Sequence, residues 1–168
     1  MHYKDKATEN PHIELRTTVM SDLETLFVFQ CDKEAVRMAA FTSADADDRK
    51  KYMARWTRLL SDKSVNCATI LFEGMIAGSI AKYEMNGRAE ITYHTGKAFW
   101  GKGLATAALK LFLTREAARP LFGRTAFDNI ASQRVLEKCG FKKVGTDRGF
   151  ANARGREIEE YIYRYDGS

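Results

Sequence analysis

Polar and apolar residues alternate in "HIELRTTV" (12–19), after which "SDLETLFVFQ" (21–30) changes to a repeat of three to four. The first pattern predicts a strand and the second a helix. Ser21 and Glu24 have the spacing of a capping box, in which each side chain satisfies a free backbone N–H of the first turn. Helical patterning continues, with breaks, through "DKEAVRMAAF" and "DADDRKKYMARWTRLLSD", whose acidic start and basic middle suit the helix dipole.

The period then falls to two. "VNCATILFE" (65–73) and "MIAGSIAKYEM" (75–85) read as strands joined by a tight turn at Glu73 and Gly74, and Asn86-Gly87 is a strong type I′ signal leading into "RAEITYHT" (88–95). An antiparallel meander follows from these three. In "AFWGKGLATAALKLF" (98–112), Leu104, Ala108, Leu111 and Phe112 recur as the stripe of a helix packed on a sheet, ending by Pro120. "LFGRTAFD" (121–128) predicts a strand, "IASQRVLEKC" (130–139) a short helix stopped by Gly140, and "FKKVGTDRGF" with "REIEEYIYRY" a closing hairpin. The fold class expected is α/β: a largely antiparallel mixed sheet of about seven strands, helices on both faces, and one parallel pair, 88–95 beside 121–128.

With 168 residues, 45% of them hydrophobic, the chain fits one domain over 13–168 behind a polar tail at 1–12. Lys and Arg number 27 against 22 Asp and Glu, a net +5 spread along the chain, which suits an anionic small ligand as well as nucleic acid. The aromatic and basic clustering of an RNA platform is missing, so nucleic acid ranks last among the partners. Cys31, Cys67 and Cys139 have neither CxxC nor His/Cys ligand spacing, which points to free thiols in a reducing compartment and to no metal. No apolar run approaches the ~20 residues of a membrane span, and the N-terminal segment lacks the apolar core of a signal peptide. A cytoplasmic protein with no membrane partner is expected.

Candidate chemistry gathers around Gly101 and Gly103. Glycines there let a backbone come close to a ligand, and the helix they open presents unpaired N–H groups and a positive dipole end; Lys102 adds charge and Thr106 a hydroxyl. Taken alone, the loop fits either a phosphate site or a tight strand-to-helix turn. "GKGLAT" is not a Walker loop, and the five residues between Thr95 and Gly101 weaken a dinucleotide fingerprint, although Asp128 imitates its ribose-binding acid.

"WGKGLATAALKLF" after "AEITYHT", followed by "FDNIASQRVLEKCGFKKVG", resembles the Gcn5-related N-acetyltransferase (GNAT) family, and within it the RimJ/RimL ribosomal-protein N-terminal acetyltransferase branch. The likeness runs over roughly residues 13–165 in order of elements and is sharp over 88–146. It implies a GNAT-like fold and acetyl-CoA as cosubstrate, its pyrophosphate held by backbone N–H groups of the family's Arg/Gln-x-x-Gly-x-Gly/Ala loop. Trp100, Gly103 and Ala105 stand at the first, fourth and sixth positions of that loop, with Gly101, Lys102, Leu104 and Thr106 around them. It also implies that Tyr93, His94 and Thr95 run beside the pantetheine arm, with mainly backbone contacts at His94.

Acetyl transfer from a thioester to an amine needs a deprotonated nucleophile, and an α-amine with a pKa near ~8 or a Lys amine near ~10.4 needs a base at neutral pH. Alternation puts Ala89, Ile91 and Tyr93 on one face of their strand and Glu90, Thr92 and His94 on the other. The resemblance matches Glu90 to the acidic residue that acts as base, directly or through water; a structurally paired Glu is the plainer reading. Asn129 and Ser132 match positions contacting the pantetheine arm, with Ser132 hydrogen bonding the leaving thiolate, and both also suit a helix cap. Other branches carry a Tyr general acid where this chain has Leu136. Cys139, ahead of Gly140, reads as a small buried thiol.

For the amine acceptor, a peptide N-terminus or a small molecule, the resemblance points to Glu34, Arg37, Phe41, Tyr83, Phe150 and Arg154. Glu157 and Glu159, on one strand face, add attraction for a cation. A monomer or homodimer that transfers acetyl directly is expected; an idle acyl-CoA-binding module is the rival reading.

Overall fold

The computed structural model describes residues 12–167. The tail expected at 1–12 lies, apart from His12, outside the described residues. Among these, seven strands form one sheet: β1 (Ile13–Thr17), β2 (Asn66–Phe72), β3 (Met75–Met85), β4 (Arg88–Thr95), β5 (Leu121–Ala126), β6 (Lys142–Ala151) and β7 (Arg156–Tyr165), in the spatial order β1-β2-β3-β4-β5-β7-β6. Neighbours run antiparallel except β4 and β5, which are parallel, as expected of two strands joined by a crossover helix. Both tight turns follow the sequence: Glu73-Gly74 and Asn86-Gly87 all have positive φ, the geometry that keeps flanking strands twisted together.

The helices are α1 (Leu23–Gln30), α2 (Lys33–Ala39), α3 (Arg49–Ser61), α4 (Leu104–Leu113) and α5 (Ile130–Lys138). On one face of the sheet, α4 and α5 bury Leu104, Leu109, Phe112 and Leu136 against Ile70, Ile80, Ile91, Leu121 and Tyr163. Gly123 makes this contact possible, because a Cβ there would come within 2.9 Å of Leu136 Cδ2. The opposite face carries α1, with Leu23 and Leu26 packed on Tyr52 of α3, and the end of α2, where Ala40 meets Ala126, Ala151 and Ile158.

The expected capping box at Ser21 and Glu24 is absent. Residues Met20–Asp22 instead form a 3₁₀ turn, and Asp22 accepts a hydrogen bond from Val19 N–H at 3.0 Å. Its carboxylate is drawn into the protein by Arg16 at 2.6 and 2.7 Å and by Thr69 Oγ1 at 2.9 Å, while Glu24 pairs with Arg49. The Arg16 hydrogen bonds hold the Asp22 pKa down at about 2, against burial.

Two details of the sheet position the site. The parallel register holds only Ala89 with Leu121 and Glu90 with Phe122, so from Ile91 onward β4 is paired with β3 alone. On β3, Gly78 lies under the end of β4: a Cβ there would sit 2.1 Å from the His94 carbonyl oxygen and 2.9 Å from Thr95 Cα. Only glycine permits that approach.

Candidate active site

Where β4 parts from β5, a cavity of about 290 Å³ opens between four elements. Its walls are Tyr93, His94 and Thr95 from β4; Phe99, Trp100, Gly101 and residues 103–106 from the loop and first turn of α4; Asn129, Ser132 and Val135 from α5; and Ala35, Met38 and Ala39 from α2. The cavity therefore gathers the expected residues of the glycine loop, the strand end and the second helix. Lys102 is exposed and outside the wall, and Glu90 is also outside it.

The loop works through conformation. Gly101 and Gly103 have φ of 77° and 72°, left-handed values that β-carbons disfavour, and an added Cβ would meet nothing within 4 Å at either. Gly103 begins α4 with no side chain to cap it. The first intrahelical bond runs from Ala107 N–H to Gly103 carbonyl at 3.1 Å, leaving the N–H groups of Leu104, Ala105 and Thr106 without helical acceptors. Unpaired donors at a positive dipole end fit a phosphate. Trp100 Nε1 donates to the Thr95 carbonyl at 3.1 Å, tying the loop to the end of β4.

Asn129 caps α5, accepting from Ser132 N–H at 3.2 Å, and its amide also donates to the Met38 carbonyl at 3.3 Å, joining two walls. Ser132 Oγ lies 2.8 Å from the Tyr93 phenol oxygen. Burial pushes the Tyr93 phenol up, with the Ser132 hydrogen bond opposing. Burial also lowers the His94 pKa, and its Nε2 is buried without a partner among the described residues. Leu136, where other branches have a phenol, is 1% exposed and belongs to the core. Cys139 is buried, its thiol pushed up by burial, with Sγ 3.6 Å from the Thr106 carbonyl.

Glu90 projects from the other face of β4 and is 1% exposed. Arg124 Nε donates to its Oε1 at 3.3 Å, and the same guanidinium reaches Glu160 at 3.4 Å and Asp147 at 3.6 Å. Burial raises the Glu160 pKa against the pull of Arg124. Tyr83 stands opposite Glu90 in the register, its phenol pushed up by burial and then by the Glu90 charge.

Several residues expected from the sequence to meet the acceptor make contacts within the protein. Arg154 makes a two-pronged pair with Asp128 at 2.8 and 3.0 Å and donates from Nε to the Arg37 carbonyl at 2.8 Å. This clamp also accounts for Asp128, whose pKa it holds down. Glu34 pairs with Lys97 at 2.6 Å. Phe41 packs toward Gly149 in the Ala40 cluster, and Phe150 is exposed. Glu157 and Glu159 point away from Arg124, whereas Glu160, not selected from sequence, pairs with it. The signal was the alternation in "REIEEYIYRY", which sets Ile158, Glu160 and Ile162 on one face.

Residues 12–142 match the family model described as an acetyltransferase (GNAT) domain. A candidate ribosomal N-acetyltransferase, YdaF of Bacillus subtilis (strain 168), is 30% identical over 167 residues, covering 92% of this chain and 91% of its own. In fold the chain resembles RimL, a ribosomal L7/L12 alpha-N-protein acetyltransferase solved with coenzyme A (TM-score 0.76, 20% identity, 92% and 93% of the two chains). It also resembles MccE, a microcin C7 self-immunity acetyltransferase solved with acetyl-CoA and AMP (TM-score 0.78, 19% identity, 95% and 94%). The chain belongs to the GNAT acetyltransferase family. It is an N-acetyltransferase. No helix among the described residues is long and apolar enough to cross a membrane.

Proposed function

We propose that the chain moves the acetyl group of acetyl-CoA to a primary amine by direct transfer in a ternary complex, with no acetyl-enzyme. The observation that carries this reading is the meeting, in one cavity, of the uncapped α4 N-terminus, the free end of β4 and Ser132. The amides of residues 102–106 hold the pyrophosphate, and Tyr93 to Thr95 align the pantetheine arm along the strand edge that β5 leaves unpaired. When bound, acetyl-CoA supplies an activated acyl group on a thiol of pKa ~8.5, a fair leaving group.

Ser132 donates a hydrogen bond to the departing sulfur. Glu90 is the base for the amine. It precedes Tyr93 by three residues, roughly 10 Å of strand, so it acts through water, with Arg124 as the partner that orients its carboxylate. The carboxylates of Glu90, Glu160 and Asp147 outnumber the guanidinium between them, which favours an acceptor arriving as an ammonium. A protein N-terminus is the preferred acceptor, on the names of YdaF and RimL, with small amines second.

Calorimetric titration with CoA and acetyl-CoA tests the cofactor reading, and lack of binding by either removes it. Thiol release is then followed with peptides of different N-terminal residues and with small amines, at least one of which is expected to turn over. Binding without turnover across the whole panel favours the idle acyl-CoA-binding module, a reading supported by the burial of Leu136 where a phenol stands in other branches.

A further inference from the structure

Tyr93 and Ser132, 39 residues apart in the chain, meet in the cavity wall. Tyr93 Oη lies 2.8 Å from Ser132 Oγ and 3.2 Å from the Ser132 carbonyl oxygen. A phenol has one proton to donate and a carbonyl can only accept, so two arrangements fit the same heavy atoms. In the first, the phenol donates to the carbonyl and the serine hydroxyl donates to the phenol oxygen, so both protons are used within the protein. In the second, the phenol donates to Ser132 Oγ and the serine proton turns toward the cavity. The change rotates two O–H bonds and moves no proton between oxygens.

We propose that Tyr93 is a positioning residue for the leaving group: its phenol backs Ser132 Oγ, so that the serine hydroxyl is presented to the thioester sulfur as negative charge gathers there. The proposal rests on the reading of Ser132 given above. In the step it serves, the amine lone pair forms the N–C bond and the C–S bond breaks with its electron pair going to sulfur. The surplus amine proton leaves through the base, and the thiolate later takes a proton from water. Tyr93 and Ser132 keep their own protons throughout. Burial favours this role, because a phenol held neutral donates where a phenolate would repel the thiolate. A phenol supplied from β4 also fits the absence of one at Leu136, which is packed against Gly123.

The test reads the thiol of bound CoA rather than turnover. Thiolate ultraviolet absorbance is followed as pH is raised, with protein variants saturated by CoA as judged by calorimetry. Wild type is expected to make the bound thiol about tenfold more acidic than free CoA, and Ser132→Ala to lose that tenfold. Tyr93→Phe is expected to lose about threefold, and the double variant no more than Ser132→Ala alone, because Tyr93 acts through the serine. Placing 3-fluorotyrosine at position 93, a stronger donor of nearly the same shape, is expected to increase the thiolate fraction; it carries the test if the Phe variant does not fold. A thiol unchanged in both Tyr93 variants, or a Tyr93→Phe effect that adds in full to that of Ser132→Ala, overturns the proposal. Failure of wild type to bind CoA, or a thiol indifferent to Ser132→Ala, overturns the underlying reading of the site and the proposal with it.

Discussion

The two faces of β4 use polar groups in opposite ways. Toward α4 and α5, the polar groups are neutral: the first amides of α4, which have no helical acceptors, and the hydroxyls of Tyr93 and Ser132, which meet each other. Toward α1 and α2, the charged groups are already engaged, with Glu90 on Arg124 in the middle of the sheet and Asp22 on Arg16 near its β1 edge, while the neutral His94 Nε2 has no partner among the described residues. Neutral donors left unpaired cost little in water-filled space and remain available to an incoming anion. A buried charge left unpaired costs several kcal/mol, so the protein supplies its counter-ion in advance. One strand therefore separates neutral donors open to an anion from carboxylates held on a counter-ion.

If this contrast holds, the largest effect comes from removing a counter-ion. Arg124→Met leaves Glu90 buried without its cation and is expected to cost about 3 kcal/mol, seen as a melting temperature lower by roughly 6–12 °C. A loss of a degree or two would mean that Glu90 is far better hydrated than its 1% exposure implies. Next, Glu90→Gln is expected to reduce kcat about a hundredfold at neutral pH and by less above the acceptor pKa of ~8, where the amine deprotonates unaided. An unchanged pH profile would take Glu90 out of the mechanism and leave it a partner of Arg124 alone.

The Asp22 pair gives a smaller, pH-dependent effect. Its folded pKa of about 2 lies below the unfolded value of ~3.9, so its contribution is complete above pH ~4 and is lost as pH falls through 2. Denaturant titrations should show wild type losing about 1–2 kcal/mol over that window, discounted because Arg16 is 42% exposed, while Asp22→Asn stays flat. On the ligand face, the contrast sharpens to backbone against side chain. Gly103→Val, forced to φ 72°, is expected to weaken CoA at least tenfold in calorimetry, whereas Lys102→Ala changes it less than threefold. Equal losses would return the phosphate to the lysine.

What the sequence disclosed follows from how far apart the causes lie. Glu73-Gly74, Asn86-Gly87 and the α4 stripe depend on neighbours within a few residues, and the strands and helix appear where those signals put them. The Ser21 capping box failed because Asp22 answers to Thr69, 47 positions later. The contacts of Arg154 with Asp128 and the Arg37 carbonyl have no local signal, because only the fold brings these partners to it. The glycine loop and the Asn129 to Ser132 cap could be read locally; the meeting of Ser132 with Tyr93 could not.

Gly78 touches none of the cavity, yet an alanine in its place would drive a methyl group to 2.1 Å from the His94 carbonyl. In a saturation scan scored by survival or activity, position 78 would rank with the least replaceable in the chain, and a map of tolerance alone would enrol it among the reacting groups. Its intolerance is architectural: it records how tightly the strand carrying Tyr93, His94 and Thr95 is laid over its neighbour.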